Sequence, residues 1–336
     1  MSRPWLWELL GVPPAAEGEE LPVAGRPFVL RDGILRDARL RASAAQAQTS
    51  RAFGFKWQQR ESFEEDAYEA KSRTWLHARY GDVAAAPWWD EYGDAPILLD
   101  AGCGAGVPAL TLLGPLLERV RYLGADISEA IDVAAARFAE RGAPGAFVQC
   151  DLMELPLRPG SVDVAFSEGV LHHTDSTRAA LEAVAELLRP GGRFLFYVYR
   201  RKGPIREFTD DHVRLQMQDL APAEAWRAME PLTRLGIALG ELGAEIEVPE
   251  DVELLGIPAG RHDVQRLFYW HVAKAFYDPE MSFDAMNHIN FDWYAPRNAH
   301  RQSLDEVREW CAGAGLEIER EDVQEAGLTI IARRTP

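Results

Sequence analysis

The chain has 336 residues, of which 47% are hydrophobic and 26% are charged, so we expect a packed globular protein rather than a disordered one. Its formal net charge of −17 repels a phosphate backbone and argues against nucleic acid as a partner. No apolar run approaches the roughly 20 residues that span a bilayer, so we expect no membrane partner. Cys103, Cys150 and Cys311 form no C-x-x-C pair, which predicts buried, reduced thiols, no metal site and a cytoplasmic protein.

The first 92 residues precede any regular alternation of strands and helices. Residues 1–50 have an irregular pattern, whereas residues 51–92 are rich in aromatic and charged residues with helical spacing in places. We expect residues 1–92 to form an N-terminal extension, in which the run from Arg51 to Trp57 folds over a bound ligand as a lid.

Strands and helices alternate regularly between residues 93 and 200. Short apolar runs predict five strands, at 97–99, 120–125, 146–150, 162–166 and 193–199. Helical patterns separate these strands, which implies parallel pairing through right-handed crossovers.

The alternation stops after residue 200 and resumes at residue 303. A capping box at Ser303 and Glu306 predicts a helix, and two closely spaced strands at 316–323 and 328–333 must be antiparallel. The expected fold is therefore α/β, with a Rossmann-like sheet of seven strands: five parallel strands and an antiparallel C-terminal hairpin. Residues 93–200 and 303–336 would form the sheet domain, and residues 201–302 a mainly helical insertion after the fifth strand.

A glycine-rich loop follows the first predicted strand. Asp100 ends this strand, and Gly102, Gly104 and Gly106 let the backbone turn tightly and approach a ligand at the start of a helix. A dinucleotide site requires the spacing G-x-G-x-x-G, but Val107 occupies the position of its third glycine. The spacing therefore argues against a dehydrogenase.

Five segments, in order, resemble the motifs of class I S-adenosylmethionine-dependent methyltransferases, in particular the small-molecule type 11-like domain. They are the loop at 100–106, the acid Asp126 at the end of the second strand, and the segments 148–156, 162–173 and 188–195. The resemblance covers residues 95–200 and, more weakly, 303–334.

This resemblance implies S-adenosylmethionine as the cofactor. An acid at the position of Asp126 can accept hydrogen bonds from both ribose hydroxyls, and the resemblance places Asp151 opposite the adenine amino group. The cofactor-binding residues that it implies are Asp100, Gly102, Cys103, Gly104, Asp126, Ile127, Asp151, Leu152 and Ser167.

Methyl transfer needs a donor and an acceptor held in line, and a base only if the acceptor loses a proton. His172 and His173 follow the fourth strand and are the candidate catalytic bases, with a structural packing role as the alternative for each. The insertion is expected to cover the site as a lid. The candidate substrate contacts are Glu168, His288, Asp292 and Tyr294.

A local basic cluster contrasts with the acidic composition of the chain. Arg200, Arg201, Lys202 and Arg206 could hold a carboxylate or phosphate of the substrate. The alternative is a solvated turn that forms salt bridges with neighbouring acids.

The leading hypothesis is an enzyme of specialised metabolism that methylates a small molecule on carbon, nitrogen or oxygen. One alternative is a protein of this fold that binds S-adenosylmethionine without methyl transfer, as a partner protein or as an enzyme of another kind. Another is a nucleic-acid methyltransferase, which the net charge disfavours and which would need an Asn/Asp-Pro-Pro-aromatic motif where residues 167–170 read Ser-Glu-Gly-Val. The sequence is compatible with a homodimer.

Overall fold

The computed structural model describes residues 4–336, so the first three residues of the predicted N-terminal extension lie outside the described residues. The expectation of an irregular segment over residues 1–50 is wrong. After helix α1 (Pro4–Leu10), the chain forms three antiparallel strands, β1 (Glu20–Val23), β2 (Arg26–Arg31) and β3 (Ile34–Asp37). The pairs Ala24-Gly25 and Asp32-Gly33 have positive φ at both residues, as two-residue hairpin turns require.

Two helices complete the N-terminal extension, in agreement with the helical spacing of this region. Helix α2 (Ala44–Gln58) begins after Ser43, whose side chain accepts a hydrogen bond from the Gln46 amide. Helix α3 (Asp66–Tyr80) follows and ends at Gly81.

The five predicted strands of the central region are confirmed. They are β4 (Ile97–Ala101), β5 (Arg121–Asp126), β6 (Ala146–Gln149), β7 (Val162–Glu168) and β8 (Leu188–Tyr199). The helices between them are α4 (Val107–Leu112), α5 (Ala130–Glu140) and α6 (Thr177–Leu187).

The segment 201–302 is mainly helical, as predicted. Its helices are α7 (Pro204–Met217), α8 (Pro222–Glu241), α9 (Val264–His271) and α10 (Phe283–Tyr294), and the strands β9 (Glu245–Val248) and β10 (Gly260–Asp263) pair between α8 and α9. Arg200 and Gln302 form a bridge beside the end of β8, so the insertion leaves and rejoins the sheet domain at one point.

The C-terminal elements are also confirmed. Ser303 and Glu306 form the predicted capping box of α11 (Leu304–Gly313). Strands β11 (Leu316–Val323) and β12 (Gly327–Arg334) then pair in antiparallel orientation.

The main sheet has ten strands, in the order β1-β2-β3-β6-β5-β4-β7-β8-β12-β11, and not the seven predicted. Seven of them form the expected arrangement, with β4 to β8 parallel and β12 antiparallel to β8. The other three strands, β1 to β3, come from the N-terminal extension. They join the sheet because β3 pairs in parallel with the outer edge of β6. This pairing occupies backbone groups that an edge strand would leave open.

The insertion and the N-terminal helices pack on each other near the carboxyl ends of the central strands. Helix α10 contacts both α8 and α2, and a hydrophobic cluster links Ala105 and Val107 beside the glycine loop to Phe63, Tyr269 and Phe276. No helix within residues 4–336 has the length and hydropathy needed to cross a bilayer.

Candidate active site

A cavity of about 590 Å³ lies at the carboxyl ends of the central strands. Its walls come from α2 and α3, from the loops after β4 to β8, and from the insertion. Ligand sites of open α/β sheets lie at this edge, and the volume suits a small-molecule ligand.

The glycine loop forms one end of this cavity. Gly102, Gly104 and Gly106 all have positive φ, of +86°, +52° and +71°. A Cβ atom at Gly102 would lie 2.2 Å from Val170 Cγ1, and one at Gly104 would lie 3.0 Å from Trp57 Nε1. The loop therefore requires glycine both for its backbone conformation and for the close approach of its neighbours.

The Asp126 carboxylate connects this loop to the end of β5 through hydrogen bonds. Its Oδ2 accepts a hydrogen bond of 2.9 Å from the Gly104 amide, and its Oδ1 accepts from the amide and hydroxyl of Ser128 at 2.8 and 2.6 Å. Burial raises the pKa of this carboxyl, while the hydrogen bonds oppose the rise. Because a carboxylate has about four acceptor positions, the protein leaves about one for a ligand.

Asp151 lines the same cavity after β6, which lies two strand positions from β4 in the sheet. Its Oδ1 accepts a 2.9 Å hydrogen bond from the Met153 amide, and burial raises its pKa. Ile127 and Leu152 line the cavity beside it. This acid and two apolar side chains can receive a flat ring with a polar edge.

Of the remaining residues that the resemblance implied for the cofactor, Cys103 lines the cavity, whereas Asp100 and Ser167 lie behind the loop. Asp100 accepts a 2.6 Å hydrogen bond from the Tyr122 hydroxyl, and burial raises the pKa of its carboxyl to about 7. Ser167 donates to the Ala101 carbonyl at 2.8 Å. These two side chains join β4 to its neighbours β5 and β7 and do not line the cavity.

The two candidate bases have different surroundings. His173 lines the cavity, and its Nδ1 lies 2.6 Å from the Asn298 carbonyl oxygen. Because a carbonyl only accepts, Nδ1 carries the hydrogen and Nε2 remains an acceptor. Burial lowers the His173 pKa to about 4. His172 does not line the cavity; its ring centroid lies 3.7 Å from that of Tyr199, and its pKa is lowered by burial.

Glu168 and Asp292 both line the cavity, and each is held by a cation and a tyrosine. Glu168 pairs with Arg79 and accepts a 2.6 Å hydrogen bond from Tyr80. Asp292 pairs with Lys56 and accepts from Tyr199 at 3.2 Å. Burial opposes ionisation of Asp292, but Lys56 and Lys274 outweigh it and hold the pKa of this carboxyl below its usual range.

His288 lines the cavity, whereas Tyr294 does not. Nδ1 of His288 lies 2.8 Å from the Ser62 hydroxyl, and burial lowers its pKa well below the usual value. The Tyr294 hydroxyl donates to Asp210 at 2.9 Å and accepts from the Lys274 amide at 2.7 Å. Tyr294 therefore fixes the backbone that bears Lys274 and does not reach the cavity.

The basic cluster at 200–206 divides between surface and cavity. Lys202 and Arg206 line the cavity, whereas Arg201 pairs with Glu306 and Arg200 is exposed. Sequence reasoning missed Tyr197 and Tyr199, which line the cavity, although residues two apart on a strand share a face and both lie at the carboxyl end of β8. It also missed Lys274, which lies in an irregular segment with no periodic pattern.

In the described part of the chain, no group of three or more His, Cys, Asp or Glu side chains is arranged to hold a metal.

Comparison with known proteins gives a family match over the central strands. Residues 99–196 match the family model described as a methyltransferase domain. An uncharacterized 37.1 kDa protein in transposon TN4556 of Streptomyces fradiae is 37% identical over 98 residues, which are 29% of this chain and 28% of that protein. The tRNA (carboxymethyluridine(34)-5-O)-methyltransferase alkbh8 of Xenopus tropicalis is 33% identical over 218 residues, covering 60% of this chain and 30% of that protein.

The chain thus spans less than a third of the length of these two relatives. Among solved structures, the 1,6-didemethyltoxoflavin-N1-methyltransferase of Burkholderia thailandensis, with 1,6-didemethyltoxoflavin and S-adenosylhomocysteine bound, is similar at 20% identity and a TM-score of 0.44, covering 96% of this chain and 100% of that one. The family match falls on β4 to β8, the strands that bear the glycine loop, Asp126 and Asp151. Residues 99–196 of this chain therefore match a methyltransferase domain.

Proposed function

We propose that this protein transfers a methyl group from S-adenosylmethionine to a small-molecule acceptor. One observation carries the proposal: a single cavity joins the glycine loop and Asp126 to the aromatic and charged side chains of the insertion. Donor and acceptor would thus share one enclosed space, as an in-line displacement requires.

The donor end would be formed by residues of β4, β5 and β6. The loop at Gly102 and Gly104 approaches the ligand with its backbone, the free acceptor position of Asp126 suits one ribose hydroxyl, and Asp151 with Leu152 suits the adenine ring. S-adenosylmethionine supplies an electrophilic methyl group when bound. Trp57, which lies over Gly104, would shield this end from water, so α2 would serve as the N-terminal lid.

The acceptor end would be formed by β8 and the insertion. Of the two candidate bases, only His173 faces the cavity, with Nε2 as an acceptor. With a pKa of about 4, this ring is neutral at pH 7 and is a weak base. We therefore assign His173 the role of positioning the acceptor through a hydrogen bond, with Glu168, His288 and Asp292 as further contacts.

RNA is the second candidate acceptor, because the alkbh8 relative is a tRNA methyltransferase. The net charge of −17 opposes it, since binding along a phosphate backbone depends on many accessible cations. The lining cations Arg79, Lys56 and Lys71 are already paired with Glu168, Asp292 and Asp278.

The test is a transfer assay with S-adenosylmethionine that carries tritium in its methyl group. The protein is incubated with total tRNA or with a deproteinised small-molecule extract, and each mixture passes a membrane that retains tRNA. We expect a protein-dependent tritiated compound, separated from S-adenosylmethionine by chromatography, in the filtrate of the extract and no tritium on tRNA, with the Asp126→Ala variant as the inactive control. Label on tRNA would replace the small-molecule proposal, and adenosylhomocysteine binding without transfer to either would indicate a protein that binds the donor without methylating.

A further inference from the structure

Lysine is rare in this chain and is found at one place only. The chain has four lysines among its 36 basic residues, and the others are arginines. All four lysines, Lys56, Lys71, Lys202 and Lys274, line the cavity. Lysine differs from arginine in being a compact point charge that can lose its proton when buried. Lysine side chains are therefore found in the cavity wall, whereas the basic residues elsewhere in the chain are arginines.

Two of these lysines already have carboxylate partners. Lys56 pairs with Asp292, and Lys71 Nζ lies 2.6 Å from Asp278 Oδ2. Lys202 and Lys274 form no ion pair within residues 4–336. Lys202 Nζ donates only to the Arg200 and Ala326 carbonyls, at 3.0 and 2.7 Å. The Lys274 side chain belongs to a residue only 7% exposed, and its ammonium has no hydrogen-bond partner among the described residues.

Lys202 and Lys274 converge with Arg206 on one aromatic ring. Lys274 Nζ lies 4.7 Å from the centroid of the Trp293 ring, Lys202 Nζ lies 5.6 Å from it, and Arg206 Cζ lies 5.4 Å from it. We call these four residues the Trp293 cluster. Asp210 pairs with Arg206 at 2.8 Å. Glu207 accepts a 2.7 Å hydrogen bond from the backbone amide of Lys202 and is itself paired with Arg301. The Trp293 cluster thus has more positive than negative charge inside an acidic protein.

The geometry points to an anionic acceptor: we propose that a carboxylate or phosphate group of the acceptor binds between Lys202 and Lys274 over Trp293. This inference rests on the proposed function and names the chemical class of its substrate. Lys274 is buried and Lys202 is half-buried, and no carboxylate among the described residues forms an ion pair with either, so an anion in the cavity would complete their charge pairing. A charge-assisted hydrogen bond to each lysine would give a bound anion both affinity and a fixed orientation.

The carboxylate of the methyl donor is a poorer occupant of this position. The glycine loop follows β4, whereas Lys202 follows β8, two strand positions away in the sheet. Neighbouring strands are separated by about 4.8 Å, so the two ends of the cavity are roughly 10 Å apart. Lys56, whose Nζ lies 3.8 Å from the Trp57 ring centroid, is the cation nearer to the loop.

Anion binding at the Trp293 cluster should be linked to protonation. Burial and the nearby Arg206 lower the pKa values of Lys202 and Lys274 to about 7. The charged groups that act on these two lysines are Lys56, Arg200, Arg206, Glu207, Asp210 and Asp292. Because the anion binds the protonated form, its affinity is greatest below pH 7 and falls as the pH rises above 7.

The test is calorimetry on protein saturated with adenosylhomocysteine, so that the donor position is filled. The probes are benzoate, phenyl phosphate and the neutral analogue benzamide. We expect one of the anions to bind roughly tenfold or more tightly than benzamide, because a hydrogen bond to a charged group contributes about 1.5–3 kcal/mol. Preference for benzoate would indicate a carboxylate acceptor, and preference for phenyl phosphate a phosphate acceptor. Comparison of buffers with different ionisation enthalpies should show proton uptake above pH 7 with the anion but not with benzamide.

Lys202→Met and Lys274→Met should each weaken binding of the preferred anion about tenfold and change adenosylhomocysteine affinity less than about twofold. Lys71→Met is the matched control, because this lysine lines the same cavity but is already paired with Asp278. Equal binding of benzamide and both anions would overturn the proposal, and this comparison needs only the wild type. A parallel loss of adenosylhomocysteine affinity in Lys274→Met would also overturn it, by assigning the cluster to the donor. Methyl transfer to a neutral acceptor would refute the anion site while leaving the proposed function intact.

Discussion

Gly104 combines a backbone requirement with a steric one. Its φ of +52° is accessible to other residues at a cost, but Trp57 Nε1 would lie only 3.0 Å from an added Cβ atom. A side chain here would force the Trp57 ring on α2 to shift by a few tenths of an ångström from the loop that we assign to the donor. The residue is thus sensitive to substitution for a reason that backbone conformation alone does not provide.

We predict that Gly104→Ala weakens adenosylhomocysteine binding roughly tenfold or more, because the added Cβ atom displaces Trp57 at the donor end of the cavity. The left-handed strain of about 1–2 kcal/mol lowers the stability of the fold instead. Gly33→Ala is the control, because Gly33 has a φ of +72° but no atom within 4 Å of an added Cβ. The Gly33→Ala variant should lose stability through the same backbone strain but bind adenosylhomocysteine as tightly as the wild type. Calorimetric affinities of the two variants decide the point, and equal affinity for both would contradict the steric role of Gly104.

Individual site residues could be predicted where a strand end fixes their position. Asp126 ends β5, Asp151 follows β6, and both line the cavity. Adjacent residues were harder to separate, as with His172 and His173. They lie in a 3-10 turn, where successive side chains point about 120° apart, so only one of them can face the cavity. Which one does so depends on contacts with β8 and Asn298 that no local pattern encodes.

Helix α10 shows how the insertion is held in place by buried polar groups. Thr233 on α8 donates to Asn287 Oδ1 at 2.7 Å and accepts from Asn290 Nδ2 at 3.0 Å. Asn290 Oδ1 also accepts from the Phe276 amide at 2.9 Å. All three side chains are buried. This network fixes the helix that carries His288, Asp292 and Trp293 to the cavity.

We predict that Thr233→Val lowers the free energy of unfolding by about 1–3 kcal/mol, because an isosteric methyl group leaves the buried Asn287 Oδ1 and Asn290 Nδ2 atoms without this partner. Thr74→Val is the control: this threonine lies on an exposed part of α3 and donates only to the Ala70 carbonyl. Urea unfolding of both variants measures the difference. A change at Thr233 of less than about 0.5 kcal/mol, the usual range for surface substitutions, would show that the network is not needed.

The elements were predictable where their apolar runs alternate with helical patterns or where their boundary chemistry is strong. The strands β4 to β8 and the capping box of α11 have such patterns. Strands β1 to β3 contain charged residues, and β1 and β2 also contain proline, so the sequence there shows no continuous apolar run. The Asp32-Gly33 turn was the available indication of a hairpin there. The pairing of β3 with β6 joins distant parts of the chain, and such contacts leave no local pattern.

Charge is unevenly distributed over the whole molecule. The chain has a net charge of −17, yet all of its lysines line one cavity. The acidic exterior disfavours polyanions, whereas the Trp293 cluster favours a small anion that can enter the cavity. This distribution could not be predicted from composition, because it depends on how the insertion folds back over β8.

The ionisation of Asp100, which precedes the glycine loop, makes the stability of the fold depend on pH. Burial raises the pKa of this carboxyl from 3.8 to about 7. A raised pKa means that protonated Asp100 stabilises the folded state below about pH 4, and that this contribution is lost as the pH rises through about 7.

We predict that the stability of the wild type relative to Asp100→Asn falls by about 2–4 kcal/mol between pH 4 and about pH 8, since an amide keeps the shape but does not ionise. Asp305→Asn, at a largely exposed position on α11, should show no such trend. Chemical unfolding across this pH range measures both. A constant difference between wild type and Asp100→Asn would mean that the carboxyl is ionised throughout.

Titration with adenosylhomocysteine decides whether the cavity binds the methyl donor. We predict one binding site per chain in the wild type and an affinity roughly tenfold or more weaker in Asp126→Ala, which removes the ribose acceptor and the anchor of the Gly104 amide. Asp305→Ala, on the exposed side of α11, should bind as the wild type does. Unchanged affinity in Asp126→Ala, or no binding by the wild type, would contradict the assignment of this cavity to S-adenosylmethionine.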